Sequence, residues 1–363
     1  MLPLFLLGLD AFFLLVFTAF ALLMPALTRR DVLFGVTVPP NARATPAGRA
    51  ILRGYRLGVI GLALILGVIV ALLWQLAPAT WMALAPVALA LLLDIPYLLA
   101  YRATRRLAAN PPEAPFARPG PAAELIPRQY ATSVPWIWET LPLAIVALTA
   151  AYLAITYAAA PAIIPTHFDL AGVAKAFSRK TVGSYFSLVW TQLFMEVFLT
   201  VIAVLVAGAK AVPGRADLGF RRRMLRFLFF VKVLSIAFMG GLAVFIAQAS
   251  LSAHPQVGLP LAMSAVFVLL TLVGVFALGI TTGQGGARLG PAAETATDRL
   301  DDRYWKLGAI YANRDDPSIF VEQRFGLGWT LNFGNPRALG VMLGLLVLPM
   351  VLAVGLILFA TPR

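Results

Sequence analysis

Residues 57–74 read LGVIGLALILGVIVALLW, without a single charge, and Arg49, Arg53 and Arg56 stand just before them. A helix needs about 20 predominantly apolar residues to span the hydrocarbon core of a bilayer. Further runs of this kind lie near Leu2–Leu27, Thr80–Tyr101, Trp136–Tyr157, Val182–Ala209, Met224–Leu251, Leu259–Ile280 and Leu339–Ala360. They are too long and too uniformly apolar for barrel strands, and in lipid only a helix satisfies its backbone hydrogen bonds within one segment. The expected fold is therefore an all-α membrane protein: a polytopic bundle of about eight transmembrane helices, with a small cytoplasmic β-meander between the last two. Composition points the same way. The 363 residues are 60% hydrophobic and 12% charged, against about 25% charged in soluble domains, and the mean hydropathy is +0.86.

Orientation follows from the placement of basic residues, which collect in cytoplasmic loops. Loops 28–56, 102–135, 210–223 (with Arg226 just inside the next helix) and 281–338 carry six, five, six and seven of the 29 lysines and arginines. The opposite side carries Lys175, Arg179, Lys180 and Arg363, and Lys232 lies within a run. This pattern puts the basic loops in the cytoplasm and both termini outside. The first run lacks a basic leader and is too long for a signal-peptide core, so it is expected to stay as an anchor. The formal charge of +13 sits in short loops beside apolar spans. It fits anionic lipid at the cytoplasmic loops, not nucleic acid. The chain has no cysteine, which excludes disulfides, thiolate metal sites and a cysteine nucleophile.

The runs divide the chain into an N-terminal three-helix segment (1–135), a membrane unit with an outward loop 158–181 (136–210), a helix pair (211–280), a β-rich cytoplasmic module (281–338) and a last helix (339–363). In the first loop Arg49, Arg53 and Arg56 recur at helical spacing after the turn-prone Pro39-Pro40-Asn41. Loop 102–135 reads as a Pro- and Ala-rich connector. In 281–338, short β-like runs at Leu307–Tyr311, Ser318–Val321 and Trp329–Phe333 are separated by strong turn signals. The residues of interest there are Trp305, Asp315, Asp316, Trp329 and Asn332. Its acids lack the EF-hand spacing and read as turn carboxylates.

Asp10, Asp94, Glu139, Glu196 and Lys232 fall inside apolar runs. A charge at the bilayer centre costs roughly 2.5–3.5 kcal/mol on insertion scales, so such residues face protein or water. Gln192, Glu196 and Thr200 recur every fourth residue and share one helix face. Lys232 shares a face with Ser235, and Asp94 shares one with Tyr97 and Tyr101. Lys232 paired with Glu196, with Asp94 nearby, is the expected centre of a network that also includes Glu139, Gln192 and Ser235. It reads either as an internal salt bridge holding the bundle in register or as a proton-, ion- or substrate-handling site. No metal-ligand pair, nucleophile with base or phosphate-cradling glycine loop accompanies it. Neither a catalytic residue nor a cofactor is assigned.

The outward loop runs Pro165, Thr166, His167, Phe168, Asp169 to Gly172, and then Ser178, Arg179 and Lys180. His167 and Asp169 suit hydrogen bonding or pH sensing, and Gly172 suits a turn. This pattern resembles the domain of unknown function 1648 found in SdpI-type peptide-toxin immunity proteins and their relatives, with Asp169 where Asn is more frequent. The run Tyr304-Trp305-Lys306-Leu307-Gly308, with Tyr311, Asn313, Asp315-Asp316-Pro317 and Phe325 to Asn332, resembles a second uncharacterised module often attached C-terminally to such proteins. The resemblance implies a bacterial plasma-membrane protein of immunity, signalling or envelope-stress type. In that reading a non-enzymatic chain senses or blocks an extracytoplasmic ligand such as a secreted peptide at Pro165, His167, Phe168, Asp169, Gly172 and Lys180, and addresses a regulatory protein inside. The alternative is a secondary transporter or ion-coupled exporter using the acid–lysine network. A membrane-embedded enzyme is the third, least equipped reading.

Overall fold

The computed structural model describes residues 2–76, 78–109, 133–168, 173–208, 215–252, 258–286, 288–289, 301–325 and 328–360. Its long helices are α1 (Leu2–Leu27), α2 (Pro46–Leu73), α3 (Pro78–Leu92), α4 (Asp94–Ala109), α5 (Thr140–Tyr157), α6 (Ser187–Gly208), α7 (Arg215–Leu251), α8 (Gly258–Thr282) and α9 (Pro336–Ala360). Among the described residues seven helical stretches are long and apolar enough to cross a membrane, and α9 is a further apolar helix of 25 residues. The protein is an α-helical membrane protein. Among the described residues there are four antiparallel hairpins: β1 (Val32–Leu33) with β2 (Val36–Thr37), β3 (Ile163–Phe168) with β4 (Ala174–Arg179), β5 (Trp305–Lys306) with β6 (Ile310–Tyr311), and β7 (Phe320–Glu322) with β8 (Trp329–Leu331). The β-rich segment is thus two hairpins, linked by one parallel bridge between Tyr311 and Asn332.

Several boundaries differ from the sequence expectation for identifiable reasons. The third apolar run is interrupted at Leu93 between α3 and α4, where Pro96 has no N–H to offer the carbonyl of Leu92. The fifth begins as a short helix, Val182–Tyr185, closed by a capping box between Thr181 and Ser184, and α6 starts only after Phe186. Helix α7 has 37 residues, about 55 Å at 1.5 Å per residue, well beyond the roughly 30 Å hydrocarbon core. Arg49, Arg53 and Arg56 lie on the first turns of the long α2, not on a separate helix.

The chain forms two compact units. One comprises Met1–Pro127, Lys210–Phe220 and Gly279–Ala338; the other comprises Arg128–Ala209, Arg221–Leu278 and Leu339–Arg363. In the first, Pro25 lies inside α1 and leaves the carbonyl of Ala21 without its helical donor. The Tyr55 hydroxyl donates to that carbonyl at 2.9 Å, tying α2 to α1. The end of α1 is held by Arg43, whose guanidinium donates to the carbonyls of Pro25, Arg29 and Val32 at 2.7 Å each. These are the carbonyls a helix end and the following turn leave open.

The β1–β2 turn is made by Phe34 and Gly35, both at positive φ (44° and 78°), as a two-residue hairpin requires. An aromatic residue in that region is strained. Its compensation is contact: the Phe34 ring lies 4.7 Å from Tyr55, 5.8 Å from Phe325 and 6.4 Å from Tyr97. Leu307 and Gly308 repeat positive φ in the β5–β6 turn, and the two turns meet backbone to backbone. A Cβ on Gly35 would lie 2.2 Å from the Gly308 carbonyl oxygen. The Tyr97 hydroxyl donates to the Leu307 carbonyl at 2.8 Å, and the Thr37 hydroxyl donates to Asp302 at 2.8 Å. Arg324 bridges Asp302 and, at 3.2 Å, the Gly35 carbonyl, and lies over the Trp305 ring. Burial draws the Arg324 guanidinium below its ordinary range, and Asp302 opposes that shift. The first basic loop and the C-terminal hairpins are therefore one packed body.

Gly35→Ala should lower stability by about 2 kcal/mol or more, since both the positive φ and the contact with Gly308 are violated. Thermal unfolding in detergent measures this; an unchanged midpoint would contradict the packed-turn interpretation.

Candidate functional site

Three elements of the second unit bring three of the five charges of the apolar runs together. Glu139 closes a 3-10 turn, Trp136–Glu139, that leads into α5; Glu196 and Thr200 come from α6 and Lys232 from α7. The Lys232 ammonium lies 2.5 Å from Glu139 Oε2 and 3.6 Å from Glu196 Oε1. It donates to the Thr200 hydroxyl at 2.7 Å, and that hydroxyl donates onward to Glu139 Oε2 at 3.3 Å. Lys232 is 2% exposed and Glu196 6%, while Glu139 is half-buried. Glu196 Oε2 has no hydrogen-bond partner among the described residues. One lysine thus faces two carboxylates, so full ionisation leaves one negative charge over, and one added proton makes the group neutral.

Four residues toward the start of α6, the stripe continues with Gln192, which is fully buried. Its amide donates to the Ile236 carbonyl at 2.8 Å and to the Thr149 hydroxyl at 3.3 Å. A Cβ on Gly240 would come within 2.7 Å of Thr149 Oγ1 and 2.9 Å of Gln192 Nε2, so this glycine is what lets α7 approach the pair. Ser235 is buried one turn from Lys232. Asp94 belongs to the first unit and is exposed at the start of α4. The nearer acid for Lys232 is Glu139, 93 residues earlier in the chain on the far side of α5, the β3–β4 hairpin and α6, a pairing no local spacing signals. Thr149 and Gly240 carried no distinguishing signal either. Asp10, in the first unit, is fully buried, and neither of its carboxylate oxygens has a partner among the described residues.

The segment between α5 and α6 is a hairpin, not an irregular loop. Ile163 pairs with Arg179, Ile164 with Ser178, Pro165 with Phe177, His167 with Ala176 and Phe168 with Ala174. Ile164 and Pro165 are buried, and Phe168 packs against Phe245 with ring centroids 5.5 Å apart. Along β4, Lys175, Phe177 and Arg179 are exposed and alternate with half-buried Ala174, Ala176 and Ser178. Lys180 turns inward. Its ammonium donates to the carbonyls of Tyr157 at 3.0 Å and Ala160 at 2.5 Å, over the Tyr157 ring at 4.9 Å, closing the C-terminal end of α5 as a cation does. Ser184 donates to the Arg179 carbonyl at 2.7 Å, and Tyr185 meets Thr156 at 3.0 Å. The hairpin is thus fixed at its base. Asp169 and Gly172 lie outside the described residues.

In the C-terminal hairpins the polar residues serve turns. Asn332, fully buried, donates to the carbonyls of Asn313 and Asp316 at 2.8 Å and accepts from the amides of Asn313 and Gly334 at 3.0 Å. Asp316 accepts from the Ser318 amide and the Tyr311 hydroxyl, and the Asp315 amide donates to Asn313. Trp305 is buried against Tyr311, and Trp329 stacks near Phe220. Asn335 accepts from the Arg337 amide at 3.0 Å and precedes Pro336, a favourable helix start. Among the described residues no three His, Cys, Asp or Glu side chains converge as metal ligands would.

Comparison with known proteins attaches to these two regions. No curated protein and no solved structure matches the chain. Residues 314–339, from the Asn332-centred turns to the start of α9, match the model of a family of unknown function, DUF5808. Residues 144–191, from α5 through the β3–β4 hairpin to the first turn of α6, match the model of a domain of unknown function, DUF1648.

Proposed function

We propose that this chain is a non-enzymatic membrane receptor of the immunity or signalling type, in which the β3–β4 hairpin meets a ligand outside the plasma membrane. The observation that carries this reading is the exposed Lys175, Phe177 and Arg179 face of β4 on a hairpin whose base is locked by Lys180, Ser184 and Tyr185. Alternating cations and an aromatic ring on a rigid strand suit an anionic, amphipathic peptide: charge draws it in and the ring supplies apolar contact. The low count of basic residues on this side of the chain supports an outward orientation. The C-terminal hairpins, on the basic side, are the surface that would address an internal partner.

The test is complementation of a deletion strain challenged with a panel of secreted membrane-active peptides. The triple variant Lys175→Ser, Phe177→Ser, Arg179→Ser should lose protection at normal protein levels, because the anchoring contacts are untouched. Full protection by that variant, or a deletion strain indifferent to every peptide, contradicts the reading.

A second reading, ion-coupled transport, is favoured by one feature: Glu196 keeps an oxygen without a partner, in a buried group that balances its charge by taking up a proton. In proteoliposomes Glu196→Gln should abolish proton-coupled flux while the folded protein persists. Absence of any flux from the unmodified protein under imposed proton and sodium gradients defeats it.

A further inference from the structure

In the first unit, hairpin β1–β2, helix α4 and the β5–β6 hairpin line a half-open cleft of about 580 Å³, within the roughly 300–1,000 Å³ range of small-ligand sites. Its charged lining is Arg102, Arg105, Asp302, Arg303 and Lys306. Arg102 and Arg105, three apart, project from one face of α4, and both are exposed, as is Lys306. Among the described residues none of these three has an ion-pair partner. Arg303 reaches Asp301 at 3.0 Å and lies over the Tyr304 ring. The carboxylate of the lining, Asp302, is already engaged by Arg324 and by the Thr37 hydroxyl, so it does not neutralise the others. Tyr101 and Trp305 supply the apolar wall, and Arg105 sits 6.0 Å from the Tyr101 ring.

Among the described residues, three cations without an ion-pair partner line one concavity, which concentrates positive potential where an anion can bind. Guanidinium forks match phosphate oxygens in pairs, and Lys adds a point charge. The cavity also adjoins Tyr101, where the apolar part of α4 gives way to Arg102, Arg105 and Arg106, the level at which headgroups meet a spanning helix. We infer that this cavity binds a phosphate-bearing anion, either the headgroup of an anionic lipid or a soluble phosphorylated compound, through Arg102, Arg105 and Lys306. This site is separate from the β3–β4 hairpin and does not depend on the ligand proposed there.

The test uses the full chain in lipid nanodiscs, reading the unfolding midpoint at matched ionic strength. One arm titrates pyrophosphate into phosphatidylcholine discs; the other replaces part of the lipid with phosphatidylglycerol or cardiolipin. Stabilisation by pyrophosphate identifies the soluble source, and stabilisation by the anionic lipids alone identifies the headgroup. In either case Arg102→Gln, Arg105→Gln, Lys306→Gln should weaken the response at least about tenfold. Removing the same charge from the exposed Arg49, Arg53 and Arg56 should leave it intact. The inference is overturned if neither probe exceeds sodium chloride, or if the two triple variants weaken the response equally.

Discussion

An ammonium cannot rest inside an apolar helix without a counter-charge, and Lys232 is the residue through which this constraint organises the second unit. Its position on α7 obliges an acid to reach it. Glu139 does so from the turn leading into α5, while Glu196 and Thr200 do so from α6. Three segments are thereby held at one depth and one rotation. Removing one partner of a buried pair typically costs about 3–5 kcal/mol. Gln192 repeats the logic one turn nearer the start of α6 with neutral groups, donating to the Ile236 carbonyl and Thr149 while Gly240 admits the close approach.

The first unit solves a different problem. Side chains from distant positions answer the open backbone groups of its turns and helix ends: Tyr55 takes the carbonyl freed by Pro25, Arg43 gathers those at the end of α1, and Arg324 joins Asp302 to the Gly35 carbonyl. The two glycine turns then fit against each other where a side chain would collide. Arg43, Arg303 and Arg324 are taken up in these contacts, whereas Arg102, Arg105 and Lys306 have no ion-pair partner among the described residues.

Much of this is legible in the sequence. Uncharged runs such as 57–74 define helices because lipid offers no other hydrogen-bonding option, and the four-residue spacing of Gln192, Glu196 and Thr200 places them on one face. What escaped was whatever depends on long-range pairing or local strain. Glu139 and Asp94 look alike in sequence, each an acid before a proline, yet one meets Lys232 and the other opens α4 at the surface of a different unit. The β1–β2 hairpin was hidden because Phe34 adopts a conformation its side-chain type disfavours. Lys180 read as part of a ligand loop, whereas its ammonium turns back onto the carbonyls ending α5. In the β3–β4 segment Pro165 interrupts the strand pattern, so the sequence reads there as a loop.

The most direct measurement is a double-mutant cycle on Glu139→Gln and Lys232→Met, read as unfolding free energy in detergent or nanodiscs. If the ammonium–carboxylate contact organises the unit, each single substitution is destabilising, and the double variant loses less than the sum of the two by about 1 kcal/mol or more. Losses that simply add, to within about 0.5 kcal/mol, would show that the two side chains do not interact and that another contact sets the register of α5, α6 and α7.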